Sequence, residues 1–380
     1  MCVMAFNEVA VMSLPLEKMQ SDEVRERKWS AISKRDLKGD QVDGRGRSRT
    51  LNANRIQLND LTEIQVLGEG SFGRVTLVQD VNRSELDQSS MWALKKMSKR
   101  KLDDLKQKVN VMNEKKILTM LNHPFVLHLE ATFQDEKTLY MLFEVVRGGE
   151  LFSYLEKQEN GTVDIQTAWF YGACIISAFA HIHTYNVVYR DVKPENILID
   201  DRGYLRIVDF GFSKVIKNRT HTLCGTPEYF APELIGGKGY GKGVDNWGIG
   251  ILIYEMIIGQ TPFADMEHNN NQKVCKNISE KAFSLPPKIK DPNCRDLLQK
   301  LLEKDPIKRI GCGVKGTKEI KTHEWYATLD WEKLDSKGYA APWVPPLKGD
   351  GDVVETEEYW DPVFQADSYS WEESDWCHDF

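Results

Sequence analysis

Apolar and polar positions alternate along EIQVLGEG (63–70), RVTLVQD (74–80) and MWALKKM (91–97), a period of two that predicts strands. The pattern then lengthens. Across KLDDLKQKVNVMNEKKILTML (101–121), Leu105, Val109, Met112 and Leu121 suggest one apolar helical face. LYMLFEVV (139–146) reads as another strand. Beyond Asp164 helical patterns dominate, including AWFYGACIISAFAHIH (168–183) and WGIGILIYEMIIG (247–259). The latter is too short to span a bilayer and contains Glu255, so it reads as a helix buried on all sides. A small β-rich lobe followed by a larger helical lobe is the expected α+β architecture, and the cleft between them is the natural ligand site.

Composition divides the chain into zones. Residues 1–57 hold eleven Lys/Arg and eight Asp/Glu with little periodicity, and read as a mostly disordered extension. Residues 58–325 carry the alternating elements. Within the stretch 326–380, residues 349–380 have eleven acids, seven aromatics and no Lys or Arg. So aromatic a segment is expected to lie against a partner surface, including the chain's own. No internal repeat is visible. With 41% hydrophobic and 28% charged residues, the chain suits a globular protein with a substantial core. Its net charge of −7 argues against general nucleic-acid affinity. Seven cysteines without a CxxC point to a reducing compartment. The N-terminus lacks a basic n-region, and Cys2 excludes the myristoylation pattern, so the expected location is cytoplasmic, extending to the nucleus.

The candidate chemistry lies in four places. Gly68-Glu69-Gly70-Ser71-Phe72-Gly73-Arg74-Val75 fits GxGxxGxV, where glycines let backbone approach phosphates. By itself this run also fits a β-turn; a strand follows it, which disfavours a dinucleotide fold. Lys95, ending the strand that contains Ala93, can hold phosphate oxygens if Glu114 on the next helix orients it. YRDVKPEN (189–196) places charged groups between the apolar runs VVY and ILI. Asp191 can accept the proton of an attacking hydroxyl, and Lys193 can neutralise charge on a moving phosphoryl group. Asn196 and Asp209, the latter in VDFG, supply hard oxygen ligands for magnesium, which draws its remaining ligands from phosphates.

GEGSFGRV, WALK, YRDVKPEN, DFG and APE (231–233), in that order over about 61–325, resemble a eukaryotic protein kinase. The resemblance implies a bilobal fold, with an N-lobe of about 58–144 and a C-lobe of about 147–325. It also implies use of ATP and Mg2+, and a pairing of Glu233 with Arg309. Glu144, Val145 and Val146 would form the hinge beside the adenine. Leu67, Val75 and Ala93 would pack on its faces, with Phe143 as gatekeeper behind it. RTHTLCGTPEYFAPE is similar to the activation segment of the AGC kinases. That implies a phosphorylated Thr222, with Arg190 and Lys214 as its partners, and Thr226 contacting Asp191. The nearest likeness is to the catalytic parts of cyclic-nucleotide-dependent kinases. From it follow three substrate-facing acids, Glu150, Glu195 and Glu255, suited to arginine-bearing peptides, Glu150 also being counted among the nucleotide-site residues. Leu223, Pro227 and Phe230 would form a pocket for the residue after the acceptor. SDWCHDF is closer to the Trp-Asp-x-Asp-Phe end of the cGMP-dependent type than to the Phe-x-x-Phe end of the cAMP-dependent type, while other stretches fit both. Trp376 and Phe380 would then dock on the N-lobe, so that the 326–380 tail wraps back on it. Two positions depart from the pattern: Thr356 stands near the family's tail aromatic, and Asn110 replaces a phosphate-reading histidine. No cyclic-nucleotide-binding domain is present, so a cGMP-dependent type would make this chain only its catalytic part, and a separate cyclic-nucleotide-binding regulatory subunit is the other expectation. Arg27-Lys28-Trp29-Ser30 matches the basic motif itself and makes Ser30 a candidate site for phosphorylation in cis. The rivals are a pseudokinase scaffold, which would lack a catalytic group, and a small-molecule phosphotransferase, which would need no peptide platform.

Overall fold

The computed structural model describes residues 56–70, 73–82, 90–265, 268, 270–347, 353, 375–377 and 380. The expectations for residues 1–55, including Ser30, and for Thr356 lie outside them.

The alternating runs form strands β1 (Leu61–Gly70), β2 (Gly73–Asp80) and β3 (Met91–Ser98). Helices α1 (Lys99–Asp104) and α2 (Lys108–Met120) follow, then β4 (Leu129–Gln134) and β5 (Thr138–Glu144). The five strands make one antiparallel sheet in the order β1-β2-β3-β5-β4. Direct cross-strand partners share a face. Pairings Val75↔Lys95↔Met141 and Leu77↔Ala93↔Phe143 therefore set Val75, Ala93, Lys95 and Phe143 on one side of the sheet.

One helical expectation is corrected. Instead of a single helix over 101–121 there are two, broken at Lys106, whose φ of 55° is left-handed. Leu105 and Val109 are 48% and 70% exposed, so they do not belong to a buried stripe. The buried face of α2 is Val111, Glu114, Ile117 and Leu118. The break resets the helical phase, and a carboxylate at a core position hides the true face from a search for apolar residues.

The second lobe contains α3 (Leu151–Glu156), α4 (Ile165–Ile182), β6 (Val187–Val188), β7 (Ile197–Ile199), β8 (Leu205–Ile207) and β9 (Lys214–Val215). Helices α5 (Pro232–Ile235), α6 (Gly243–Ile258), α7 (Asn271–Glu280), α8 (Pro292–Leu301) and α9 (Trp331–Asp335) complete it. Asp164 starts α4 by accepting from the backbone N–H of Gln166 (2.8 Å) and Thr167 (2.9 Å), satisfying donors that an uncapped helix leaves open. Gly259, at φ 89°, ends α6. Helices α4 and α6 form the core of this lobe. Ile165–Tyr185 is long and apolar enough to cross a membrane, but most of it is buried inside the chain. As expected, α6 is almost wholly buried, with Trp247 stacked on Phe263 at 5.8 Å.

The tail returns to the first lobe. Phe380 is buried there, its ring 4.9 Å from Lys115 Nζ and its main-chain oxygen accepting from Thr132 Oγ1 at 2.8 Å. Gln134 donates to the Cys377 carbonyl at 3.1 Å, and Lys108 Nζ lies 5.3 Å from the Trp376 ring.

Candidate active site

The cleft collects residues from both lobes. From β3, Lys95 donates to Glu114 Oε1 of α2 at 2.8 Å, with both side chains buried. Burial pushes the Glu114 carboxyl up, Lys95 pulls it back down, and nearby Asp209 raises it again. Three motifs far apart in sequence thus meet at one point.

The glycine run forms the β1–β2 hairpin, with Gly68 opposite Val75, Glu69 opposite Arg74 and Gly70 opposite Gly73. Ser71 and Phe72 lie outside the described residues. Glu69 pairs with Arg74 at 3.4 Å. Gly73 is required by sheet packing: a Cβ there would sit 1.7 Å from the Lys96 carbonyl oxygen. Leu67 is half-buried under the hairpin, and Val75, Ala93, Phe143 and Val146 are buried. The Glu144 carboxylate is engaged by the His128 N–H (2.9 Å) and by Arg206 (3.1 Å). The hinge that follows is stitched to β7: Gly148 N–H donates to Ile199 (2.8 Å), and Ile199 N–H to Gly149 (2.9 Å).

The loop between β6 and β7 holds the candidate catalytic groups. Asp191, 3% exposed, accepts from Asn196 Nδ2 (2.7 Å) and Thr226 Oγ1 (3.0 Å) and pairs with Lys193 (3.2 Å). Lys193 also reaches Thr226 Oγ1 at 3.3 Å. Burial raises the Asp191 carboxyl, Lys193 lowers it and Asp209 raises it. Asn196 spends Nδ2 on Asp191, while its buried Oδ1 has no hydrogen-bond partner. Val208, one residue before Asp209, donates its N–H to the Asn196 carbonyl (3.0 Å), and an amide oxygen left open there fits a hard cation that takes its other ligands from phosphate. Asp209 and Arg190 both have left-handed backbone, φ 55° and 76°, a strain of the order of 1 kcal/mol each that the surrounding fold must hold.

What holds them includes residues that the motif search passed over. Asp245 of α6, buried, accepts from Tyr189 N–H (2.9 Å), Arg190 N–H (2.8 Å) and the His183 ring (2.7 Å). Tyr189 OH donates to the Val208 carbonyl at 2.5 Å, tying the loop to the strand before Asp209. The available signal was an aspartate at the start of an otherwise apolar helix, which needs partners once buried.

Three carboxylates lie along the C-lobe side of the cleft. Glu150 occupies the N-cap of α3 without making a side-chain cap bond. Burial raises it to about 8, and Glu195 adds to the rise. Glu255 is raised to about 7 by burial, against a hydrogen bond from Tyr229 OH, with Glu195 again adding. Burial also raises Glu195, and its Oε2 is buried without a partner. Phe230 is buried, Pro227 half-buried and Leu223 42% exposed.

Thr222 is exposed, and its carbonyl accepts from Tyr240 OH. That same hydroxyl accepts from Arg190 Nη1 at 3.3 Å, while Arg190 Nε donates to the Phe212 carbonyl at 2.6 Å. Arg190 is thus linked to the Thr222 backbone through Tyr240; Lys214 is exposed on β9. Asn110 is engaged with Gln107 at 2.6 Å. Arg309 grips Glu233 with two bonds (2.6 and 2.9 Å) and also donates to the Gly243 carbonyl (2.9 Å).

Comparison with known proteins agrees with this geometry. A family model described as "Protein kinase domain" matches residues 61–326. The cAMP-dependent protein kinase catalytic subunit PRKX of Homo sapiens is 43% identical over 317 residues, covering 82% of this chain and 86% of that protein. The cAMP-dependent protein kinase type 3 of Saccharomyces cerevisiae is 38% identical, covering 80% and 74%. The cAMP-dependent protein kinase catalytic subunit of Dictyostelium discoideum is 40% identical over 80% of this chain, which spans only 45% of that longer protein. With its five-stranded lobe, helical lobe and returning tail, the chain belongs to the protein kinase family, as a serine/threonine kinase of the AGC group.

Proposed function

We propose that the chain transfers the γ-phosphoryl group of ATP to serine or threonine in peptides with arginines two and three residues before the acceptor. The carrying observation is the carboxylate trio. Glu150, Glu195 and Glu255 are all raised by burial, Glu195 raises the other two further, and one Glu195 oxygen has no partner. Buried acids in that condition are stabilised by an incoming guanidinium, which offers planar, bidentate donors. Glu150 and Glu195 would face the arginine at −3, and Glu195 and Glu255 the one at −2. Leu223, Pro227 and Phe230 would receive the residue after the acceptor.

Asn196 and Asp209 would hold magnesium, which would supply positive charge to offset that of the phosphate oxygens. Hinge backbone at Glu144–Val146 would hold the adenine, and the Gly68–Gly73 hairpin would cover the phosphates. Lys95, oriented by Glu114, would position the phosphate oxygens. Asp191 would take the acceptor's hydroxyl proton as the new O–P bond forms and the bond to the departing nucleotide oxygen breaks; its raised carboxyl makes it a better base. Lys193 would offset the charge carried between them.

Phosphorylation of the exposed Thr222 would add a dianion beside Arg190, with Lys214 as second partner, and order the segment that holds Thr226 against Asp191. A cyclic-nucleotide-binding regulatory chain, a cytoplasmic location and phosphorylation of Ser30 in cis belong to the same reading.

The test is transfer from ATP to a peptide containing Arg-Arg-x-Ser, against the same peptide with both arginines replaced by alanine. Transfer to the first alone is expected. Equal transfer to both would overturn the role of the acids, and transfer to neither from a chain phosphorylated at Thr222 would overturn the reading as a whole.

A further inference from the structure

Away from the cleft, a partly buried polar cluster joins three elements. His123, in the linker between α2 and β4, accepts the Phe125 N–H at Nδ1 (3.2 Å). Burial, with His181, Lys321 and Arg206 adding to it, pushes His123 down to about 3, so the ring is neutral. A neutral ring that accepts at Nδ1 carries its proton on Nε2. Nε2 faces Ser177 Oγ of α4 at 3.5 Å and Asp335 Oδ1 of α9 at 4.0 Å. Ser177 donates to Asp335 Oδ1 at 2.6 Å and accepts from Lys321 Nζ at 3.1 Å. Its hydroxyl is therefore saturated, with one proton given and both lone pairs used.

The linker that contains His123 lies between two elements of the proposed catalytic site. On one side it continues α2, which carries Glu114. On the other, Ile207 N–H donates to the Phe125 carbonyl (2.9 Å) and Leu127 N–H to the Ile207 carbonyl (3.0 Å), two residues before Asp209. Arg206 reaches the Val126 carbonyl at 3.4 Å and pairs with hinge Glu144.

We infer that Ser177, with His123, Asp335 and Lys321, forms a positioning network through which the tail helix α9 holds the α2–β4 linker, and with it Glu114 and Asp209, in the arrangement used for transfer. Ser177 is the hub, since it makes the short contacts to His123 of the linker, Asp335 of α9 and Lys321, while Asp335 lies 4.0 Å from both His123 and Lys321. None of the four side chains meets nucleotide or peptide; they act through Glu114. The consequence is specific: loosening the network should slow transfer and leave peptide affinity, set by the carboxylate trio, unchanged.

The inference rests on the kinase assignment, and the wild-type rate judges that assignment separately. Transfer is measured at saturating ATP, below the melting temperature of each variant, for Ser177→Ala, His123→Asn and His123→Gln. Asparagine keeps an acceptor for the Phe125 N–H but is too short to reach Ser177; glutamine keeps a donor near the position of Nε2. Ser177→Ala and His123→Asn are expected to lower kcat about tenfold with peptide KM within about twofold, and His123→Gln to recover most of the loss. Made in an E114Q chain, Ser177→Ala should change kcat by less than about twofold, because both changes act on one step. An undiminished kcat with a lowered melting temperature, an equal effect of asparagine and glutamine, or the full tenfold loss in the E114Q chain would each overturn the inference.

Discussion

If Glu255 and Glu150 face the substrate as proposed, recognition responds to pH near neutrality. Burial raises the first to about 7 and the second to about 8, so both gain protons as pH falls through that range. A guanidinium binds the ionised carboxylate, and a protonated one must first lose its proton. The KM for an arginine-bearing peptide is therefore expected to fall as pH rises from 6 to 9, by up to about tenfold per pH unit for each group still protonated. The peptide lacking both arginines should show no such trend, and parallel profiles for the two would reject the assignment. Asp191, Asn196, Asp209, Lys95 and Glu114, the groups proposed for catalysis, could all be named from sequence, because they stand in or near short motifs at set spacings. Asp245 could not: what matters there is the reach of a carboxylate on α6 to the N–H groups of Tyr189 and Arg190, some 55 residues earlier.

The element that sequence described least well, α2, is also the one that orients Lys95. The break before it places Lys106 at φ 55°, a conformation that disfavours side chains and suits glycine. Lys106 is exposed, so Lys106→Gly is expected to stabilise the chain by about 1 kcal/mol, raising the melting temperature by about 2 °C with kcat unchanged. A lower melting temperature would show that the turn gains more from the lysine than from relief of strain. Strands were easier to read than this helix. Alternation in β2 and β3 follows the pleat directly, whereas the inner face of α2 contains Glu114, which interrupts the apolar pattern while its charge is matched by Lys95. At Gly73 the motif was legible but the reason was not, since the backbone that excludes a side chain there belongs to β3.

Across the whole molecule, buried ion pairs join parts distant in sequence, and they fix placement more than they add stability. Arg309 is fully buried and satisfies Glu233, the Glu303 carbonyl (2.9 Å) and the Gly243 carbonyl, with its guanidinium 5.1 Å from the Trp247 ring. Arg309→Ala would leave those acceptors unpaired around a void. It is expected to cost about 3–5 kcal/mol, lowering the melting temperature by ~6–10 °C; a smaller drop would mean that water replaces the guanidinium. The returning tail acts at the same scale, since Phe380 and Cys377 are held by side chains of α2 and β4. By itself the sequence determined the two-lobed order of strands and helices and the family, and it named the residues proposed to hold nucleotide, metal and acceptor. These depend on local periodicity and on motifs a few residues long, which do not need to know what they will pack against. Only the tertiary structure decided the phase of α2, the buried partners of Glu114, Asp191 and Asp245, the raised carboxyls of the acid trio, and the Ser177 network. Each of those depends on desolvation and on distances of about 3 Å between groups tens to hundreds of residues apart, quantities that exist only once the chain has closed on itself.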